Sequence, residues 1–272
     1  MGSSPPIAAL AMYDWPEVAW ANDAVWRFVR QHLVTHGVDA PADLIRDHPY
    51  YAPWRFPNLL LAQTCGYPYA TELRSLVQLV ATPGYAVDGC AGGNYCSMVI
   101  AGRATGICSL ADLGQATAAI NSEHSQSGHW ALRAAIACSP GAVPPQRALL
   151  SGGHRESLAM VAAGKADIAA MDAVCWALAQ RHEPDAVAKL RIIARAPMAP
   201  GLPLITAAST PPSALAALRS GLQAALLQPN LAEARTALFL SSIEVLPNGA
   251  YGRILELRAL ALKVPFPTIE IE

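Results

Sequence analysis

The sequence predicts an α/β protein of two lobes, each a mostly parallel β-sheet flanked by helices, with a ligand cleft between the lobes. Short apolar runs alternate with amphipathic helical stretches along most of the chain, and this pattern is typical of parallel sheets covered by helices. The length of 272 residues allows two domains of ordinary size. Apolar residues make up 53% of the chain and charged residues 14%, which is sufficient for buried cores.

The elements of the N-terminal part follow from the length and period of the apolar runs. Short apolar runs predict strands at residues 7–13, 59–62 and 77–81. Helical spacing predicts a helix over 18–33, and another begins at about residue 69. Residues 82–93 contain four glycines and a proline, which predicts a connecting loop before a strand at 95–101.

From residue 117 the pattern alternates strictly between strand and helix. Strands are predicted at 117–122, 147–151, 166–171 and 190–194, and helices at 127–137, 156–163 and 173–180. A strand at 204–207 and helices near 212–227, 231–240 and 249–263 complete the chain. We expect residues 1–98 and 195–272 to form lobe 1 and residues 99–194 to form lobe 2, with a hinge where the chain crosses between them.

The charge balance excludes several classes of function. The net charge of −1 creates no general field for nucleic acid or for an anionic membrane. No run of about 20 apolar residues exists, so no membrane span is expected. Scattered His and Cys residues lack the spacing of a metal site, and we expect neither a metal nor a cofactor. If the protein binds an anion, a local site must hold it.

The strongest local pattern is a strand end followed by Ser125–Gln126–Ser127–Gly128 and a helix. The first N–H groups of a helix lack partners inside the helix and carry partial positive charge. Serine hydroxyls add donors, and Gly128 allows close approach of a ligand to the backbone. The alternative is an ordinary serine N-cap followed by a loop glycine, and capping and binding can coexist.

Two further strand ends carry polar groups. His154 follows Ser151 and two glycines, where it could donate to an oxyanion, cap its own helix or face solvent. Asp172 follows the apolar strand at 168–171, where it could cap the next helix, accept from a ligand or hold His154 in one tautomer.

Ligands in parallel α/β sheets bind beyond the carboxyl ends of the strands. The polar groups just past predicted strand ends are Tyr13, Thr64, Tyr67, Ser125, Gln126, Ser127, Gly128, His154 and Asp172. Tyr95 adds a third tyrosine hydroxyl on an apolar body, although each tyrosine alone is more commonly a core or interface residue.

Taken together, these motifs resemble the PhnD-like phosphate, phosphite and phosphonate-binding proteins of ABC transporters, which have the type II periplasmic binding protein fold. The matching stretches are MYD at 12–14, QTCGYP at 63–68, GC at 89–90 with Tyr95, SQSG at 125–128, SGGH at 151–154, MDAV at 171–174 and APGLP at 199–203. They occur in family order over nearly the whole chain.

The resemblance implies a solute-binding protein, not an enzyme, that captures a small anionic ligand for an ABC transporter permease. It implies that Ser125, Gln126 and Ser127 hold the oxyanion and that tyrosines line the cleft. It also implies that His154 and Asp172 contact the rest of the ligand or brace the site. Gln126 stands where better-known phosphonate binders have threonine, which leaves the choice of anion open. We also expect a monomer.

The cellular location stays open at this stage. The N-terminus lacks the basic and apolar regions of a signal peptide, whereas the resemblance implies a periplasmic protein. In an exported protein, Cys65 and Cys90 could form a disulfide near the cleft.

Two alternative functions use the same scaffold. A thiol-dependent enzyme would use Cys65 with His154 and Asp172, which are the residue types of a thiol nucleophile system. A cytosolic ligand sensor would use the same cleft and transmit ligand binding to a partner protein.

Overall fold

The α/β class is confirmed by the computed structural model, which describes residues 4–247 and 249–271. The strands in chain order are β1 Ile7–Ala9, β2 Leu59–Gln63, β3 Val77–Tyr85, β4 Cys90–Ala91, β5 Asn94–Tyr95, β6 Ser97–Gly102, β7 Thr117–Ile120, β8 Arg147–Leu150, β9 Ile168–Asp172, β10 Leu190–Arg195, β11 Ala199–Pro200, β12 Leu204–Ala207, β13 Leu240–Glu244 and β14 Ile269–Glu270.

The helices in chain order are α1 Ala19–Thr35, α2 Gly66–Pro68, α3 Ala131–Cys138, α4 His154–Ala162, α5 Ala173–His182, α6 Pro184–Val187, α7 Pro212–Leu227, α8 Ala232–Ala237 and α9 Gly252–Ala261. Two π-helical turns, Tyr69–Leu73 and Gln126–Trp130, continue α2 and precede α3 respectively. No helix within the described ranges is long and apolar enough to cross a membrane.

The described chain divides into two compact units. The first comprises residues 4–86, 91–93 and 201–250. The second comprises residues 87–90 and 94–200 together with the C-terminal segment from residue 251. Each unit has its own sheet and its own apolar core.

The first unit contains a five-stranded sheet in the order β1-β2-β12-β3-β13. β1 and β2 are parallel, whereas β12 runs antiparallel to both of its neighbours and β13 runs antiparallel to β3. Helices α1 and α7 pack together beside this sheet. The core includes Trp54, Leu59, Leu73 and Ile205, whose buried apolar surface stabilises the unit.

The second unit contains a six-stranded sheet in the order β10-β6-β9-β7-β8-β14. The pairs β9–β7, β7–β8 and β8–β14 are parallel, and β10–β6 and β6–β9 are antiparallel. Both sheets are therefore mixed, since β12 in the first and β6 in the second are antiparallel to both of their neighbours. The core of this unit is formed around Val99, Ile120, Leu132 and Ile168.

One predicted loop is a strand in the structure. β3 continues to Tyr85, so it includes the first four residues of the segment predicted as a connection. The added residues pair with β13, whose first residue falls at the end of a predicted helix. Pairing with a strand about 160 residues away is a tertiary effect, and it overrides the local signal of Pro83 and Gly84.

The C-terminal segment packs on the second unit, although we predicted it in lobe 1. Helix α9 packs against α3, and β14 pairs with β8. The Arg133 guanidinium donates to the carbonyls of Ala261 and Val264 at 3.3 and 3.4 Å, where it satisfies acceptors at the end of α9. These contacts join segments that are distant in sequence, so chain order alone does not reveal them.

Candidate functional site

The turn between β7 and α3 has the geometry of a capped helix start. Ser125 has an extended backbone, and its Oγ accepts from the N–H of Gly128 at 3.0 Å. The capping interpretation of Ser125 is therefore correct. A hydroxyl that accepts one N–H still has its own hydrogen to donate, so capping leaves Ser125 available as a donor toward an anion.

This helix start is buried. Ser125, Gln126 and Ser127 are 6%, 2% and 5% exposed, and Gly128 is also buried. The π-helical turn continues directly into α3, so the partial positive charge of a helix of more than three turns is directed at these residues. Hydroxyls and N–H groups in a place with little water interact more strongly with charge than they do in solvent.

His154 contacts this turn from the next strand–helix junction. Its Nε2 lies 2.7 Å from Ser127 Oγ and 3.5 Å from Asn121 Nδ2. The Gly153 N-cap of α4 has no side-chain cap, so the imidazole does not serve its own helix start. The structure therefore brings together two of the three polar clusters that we predicted in the second unit.

The imidazole of His154 is neutral at physiological pH. Burial lowers its pKa to about 4, and the smaller effect of the Ala170 backbone carbonyl acts in the opposite direction. A histidine with this pKa is not a cation that attracts an anion. It acts instead as a neutral hydrogen-bonding group.

Asn121 is a member of this cluster that we did not predict. It directly follows β7, and its side chain lies over Gly128. A Cβ on Gly128 would lie 1.8 Å from Asn121 Oδ1, which explains the glycine better than ligand approach alone does. The available signal was an asparagine at the carboxyl end of an apolar strand.

Asp172 caps α5. Its Oδ1 accepts from the N–H groups of Val174 and Cys175 at 2.7 and 3.4 Å, and the residue is 1% exposed. The capping interpretation is correct here too. The imidazole of His154 interacts with the backbone carbonyl of Ala170.

We expect Asp172→Ala to lower the free energy of unfolding by about 0.5–2 kcal/mol, because two buried N–H groups would lose their acceptor. Urea denaturation of the variant measures this. Asp172→Asn is the matched control, because asparagine keeps a capping oxygen and should retain most of the stability. Equal losses in both variants would contradict a capping role.

The predicted residues of the first unit occupy different environments. Tyr13 packs edge-to-face on Tyr85 at 5.2 Å between ring centroids. Both rings line a small and largely apolar cavity of about 50 Å³ in this unit. Thr64 is completely buried, and its N–H donates to the Pro203 carbonyl at 3.0 Å. Tyr67 lies in the short helix α2 and is 9% exposed.

The six cysteines are free thiols in the structure. Cys65 belongs to the apolar core of the first unit. Burial, with smaller effects of Asp172, Cys96 and Asp88, raises the pKa of Cys90 to about 12. Such a thiol stays protonated at neutral pH and is a poor nucleophile. Tyr95 is 4% exposed and lies in β5, which pairs with β11.

Two α/β units with polar groups collected at adjacent strand ends place a binding site for a small molecule where such sheets commonly hold one. The family model described as "ABC transporter, phosphonate, periplasmic substrate-binding protein" matches residues 59–243, about two thirds of the chain. The chain belongs to this family, and the predicted membership is confirmed. The match includes all predicted site residues except Tyr13.

Solved structures support the fold over almost the whole chain. PhnD1 from Prochlorococcus marinus, in complex with methylphosphonate, has a TM-score of 0.71 and 15% identity over 96% of this chain and 98% of that one. A binding protein component of an ABC phosphonate transporter from Pseudomonas aeruginosa has a TM-score of 0.68 and 19% identity over 96% and 88%.

A third neighbour shows that the fold does not determine the ligand. XAC2383 from Xanthomonas citri bound to chloride has a TM-score of 0.71 and 16% identity, and the same protein bound to ATP has a TM-score of 0.69 and 18% identity. Both comparisons cover 96% of this chain and 98% of that protein. No curated protein matches the chain.

Proposed function

We propose that this protein binds a small phosphonate- or phosphate-like oxyanion at the helix start formed by Ser125–Gly128 and delivers it to an ABC transporter permease. The observation that carries the proposal is the buried turn with two serine hydroxyls, one of them in contact with His154. The family supplies the transporter context. The family is periplasmic, and we propose the same location for this chain.

Binding in this place would depend on dipoles and not on cationic side chains. Ser125 contributes its O–H, and the first N–H groups of the turn add donors at the positive end of the helix dipole. A hydrogen bond to a charged group contributes about 1.5–3 kcal/mol. Two or three such bonds give about 3–9 kcal/mol, and micromolar affinity needs about 8 kcal/mol after the entropic cost of association, so the other predicted contacts must add to the binding free energy.

The remaining predicted contacts belong to the same proposal. Gln126, Tyr95 and Asp172 lie in the second unit, and Tyr13, Thr64 and Tyr67 in the first. Gln126 carries a longer amide in place of the threonine of related binders, which favours an anion that can bond to an amide. We propose that the substituent on phosphorus, rather than the oxyanion itself, is where this protein differs in ligand choice.

We propose binding without catalysis. A general base works best when its pKa is near the working pH, and the pKa of about 4 makes His154 a weak base at neutral pH. Of the residues in the alternative thiol enzyme, Cys65 packs in an apolar core and Asp172 is used as a cap. Both observations favour structural roles for these residues.

Ligand-dependent stabilisation tests the proposed function. We expect methylphosphonate, phosphite, phosphate or 2-aminoethylphosphonate at 100 times its dissociation constant to add about 2.7 kcal/mol to the free energy of unfolding. For a chain of this size this corresponds to a rise in melting temperature of roughly 5–10 °C. A thermal melt with each compound measures it, with choline as a cationic control. Equal melting temperatures for all compounds at millimolar concentration would overturn the proposal.

A further inference from the structure

We propose that the Ser127–His154 pair makes this site selective for oxyanions that carry an acidic proton, so that the protein binds the hydrogen-phosphonate monoanion in preference to the dianion. The inference rests on the proposed function and adds the protonation state of the ligand to it. It follows from where the hydrogen atoms of three neighbouring groups must lie.

The first step concerns the tautomer of His154. A neutral imidazole has one N–H and one bare nitrogen. The imidazole interacts with the backbone carbonyl of Ala170, which can only accept a hydrogen bond. Nε2 already lies beside Ser127 and Asn121, whereas Nδ1 is buried and has no hydrogen-bond partner within normal geometric limits among the described residues. Placing the hydrogen on Nδ1 therefore satisfies this buried atom best.

The second step concerns Nε2, which then has a lone pair and acts as an acceptor. Asn121 Nδ2, an amide nitrogen that can only donate, lies 3.5 Å from Nε2. This second neighbour independently favours an acceptor at Nε2. Ser127 Oγ at 2.7 Å is close enough for a strong O–H···N hydrogen bond, and its hydrogen is the one that lies between the two atoms.

The third step concerns what Ser127 offers a ligand. A serine hydroxyl has one hydrogen and two lone pairs. With the hydrogen committed to His154, Oγ presents only lone pairs to a neighbouring ligand oxygen. A ligand P–O–H can donate to Oγ and extend the chain of hydrogen bonds to His154 and on toward the Ala170 carbonyl. A bare ligand oxygen would place lone pairs against lone pairs.

The charged residues near His154 do not account for the protonation state of its imidazole. Arg155 is paired with Glu183, and the Asp172 carboxylate is bonded to the start of α5. Glu156 lies on the same helix as His154, with a carboxylate oxygen close to Gly153. The pKa of His154 is set by burial and by Ala170, with no contribution from a charged side chain. Above pH 6 the imidazole therefore stays neutral, and the proton that titrates is that of the ligand.

Two ligands of similar shape distinguish the effect of the ligand's acidic proton from the effect of its negative charge. Methylphosphonate has a second ionisation near neutral pH, whereas methanesulfonate is a monoanion without an acidic proton. Isothermal titration calorimetry from pH 6 to 9 should show methylphosphonate affinity falling about tenfold per pH unit above its second pKa. Methanesulfonate should bind at least about 100-fold more weakly than methylphosphonate at pH 6, with affinity that changes little with pH.

Ser127→Ala removes the hydroxyl that requires the ligand proton, and Ser127→Thr retains it. We expect the preference for methylphosphonate over methanesulfonate to shrink at least about tenfold in the alanine variant and to persist in the threonine variant. Equal affinity of the wild-type protein for the two ligands, or methylphosphonate affinity that rises with pH, would overturn the proton requirement while leaving oxyanion binding intact. Absence of binding by either ligand at every pH would instead overturn the proposed function.

Discussion

The double substitution Ser125→Ala with Ser127→Ala is expected to lower the affinity for the bound oxyanion by at least about 100-fold. Each hydroxyl would lose a hydrogen bond within a site that holds an anion, at about 1.5–3 kcal/mol per bond. Together these losses correspond to roughly two to four orders of magnitude in the dissociation constant. Calorimetric titration with the best ligand from the thermal melts measures the change.

A matched control keeps the number of substituted serines constant. Ser213 and Ser241 are exposed residues of the first unit, and alanine at both positions should leave affinity within about twofold. Because Ser125 also caps the turn, the site variant should lose about 0.5–2 kcal/mol of stability, so its folding is checked by circular dichroism before titration. A folded site variant with unchanged affinity would exclude this helix start as the anion site.

The second large expected effect is on stability. Leu132→Ala should lower the free energy of unfolding by about 2–5 kcal/mol, because Leu132 is fully buried in the core of the second unit. The cost combines the lost burial of apolar surface with the cavity that rigid neighbours leave unfilled. Urea denaturation, followed by tryptophan fluorescence and by circular dichroism, measures it.

Leu227 provides the control for the same chemical change, since it is 83% exposed at the end of α7. We expect Leu227→Ala to change stability by no more than about 0.5 kcal/mol. Equal effects of the two substitutions would mean that Leu132 does not anchor the helix that presents Ser125 and Ser127. Leu132→Ala could lower the free energy of unfolding and still retain oxyanion affinity at low temperature. That result would show that the folding of the unit and the recognition of the ligand by its helix start are separable.

Local pattern predicted those elements whose stability comes from near neighbours. The helix at 212–227 was predicted at the bounds that the structure shows, because a continuous apolar stripe and the prolines at its start are local signals. The strands at β7, β8 and β9 were predicted within two residues for the same reason. β13 was missed, since its pairing partner in β3 is about 160 residues away.

The candidate site shows the same division. Ser125, Ser127, His154 and Asp172 stand beside strand ends in the sequence, and topology explains why polar groups collect there. The sequence did not predict the individual role of each of these residues. Ser125 and Asp172 cap helices, whereas Ser127 and His154 contact each other. A hydrogen bond between residues 27 positions apart depends on the register of β7 and β8, which local spacing does not specify.

The sequence by itself determined the α/β class, the order of most elements and the residue types at the strand ends, because burial period and helix-start chemistry are properties of short segments. Membership in the phosphonate-binding family was also readable from motifs in family order. Only the tertiary structure decided the mixed direction of the sheets, the packing of the C-terminal segment and the contact of Ser127 with His154. Those depend on pairing between distant segments and on burial, which lowers the pKa of the imidazole and makes it neutral.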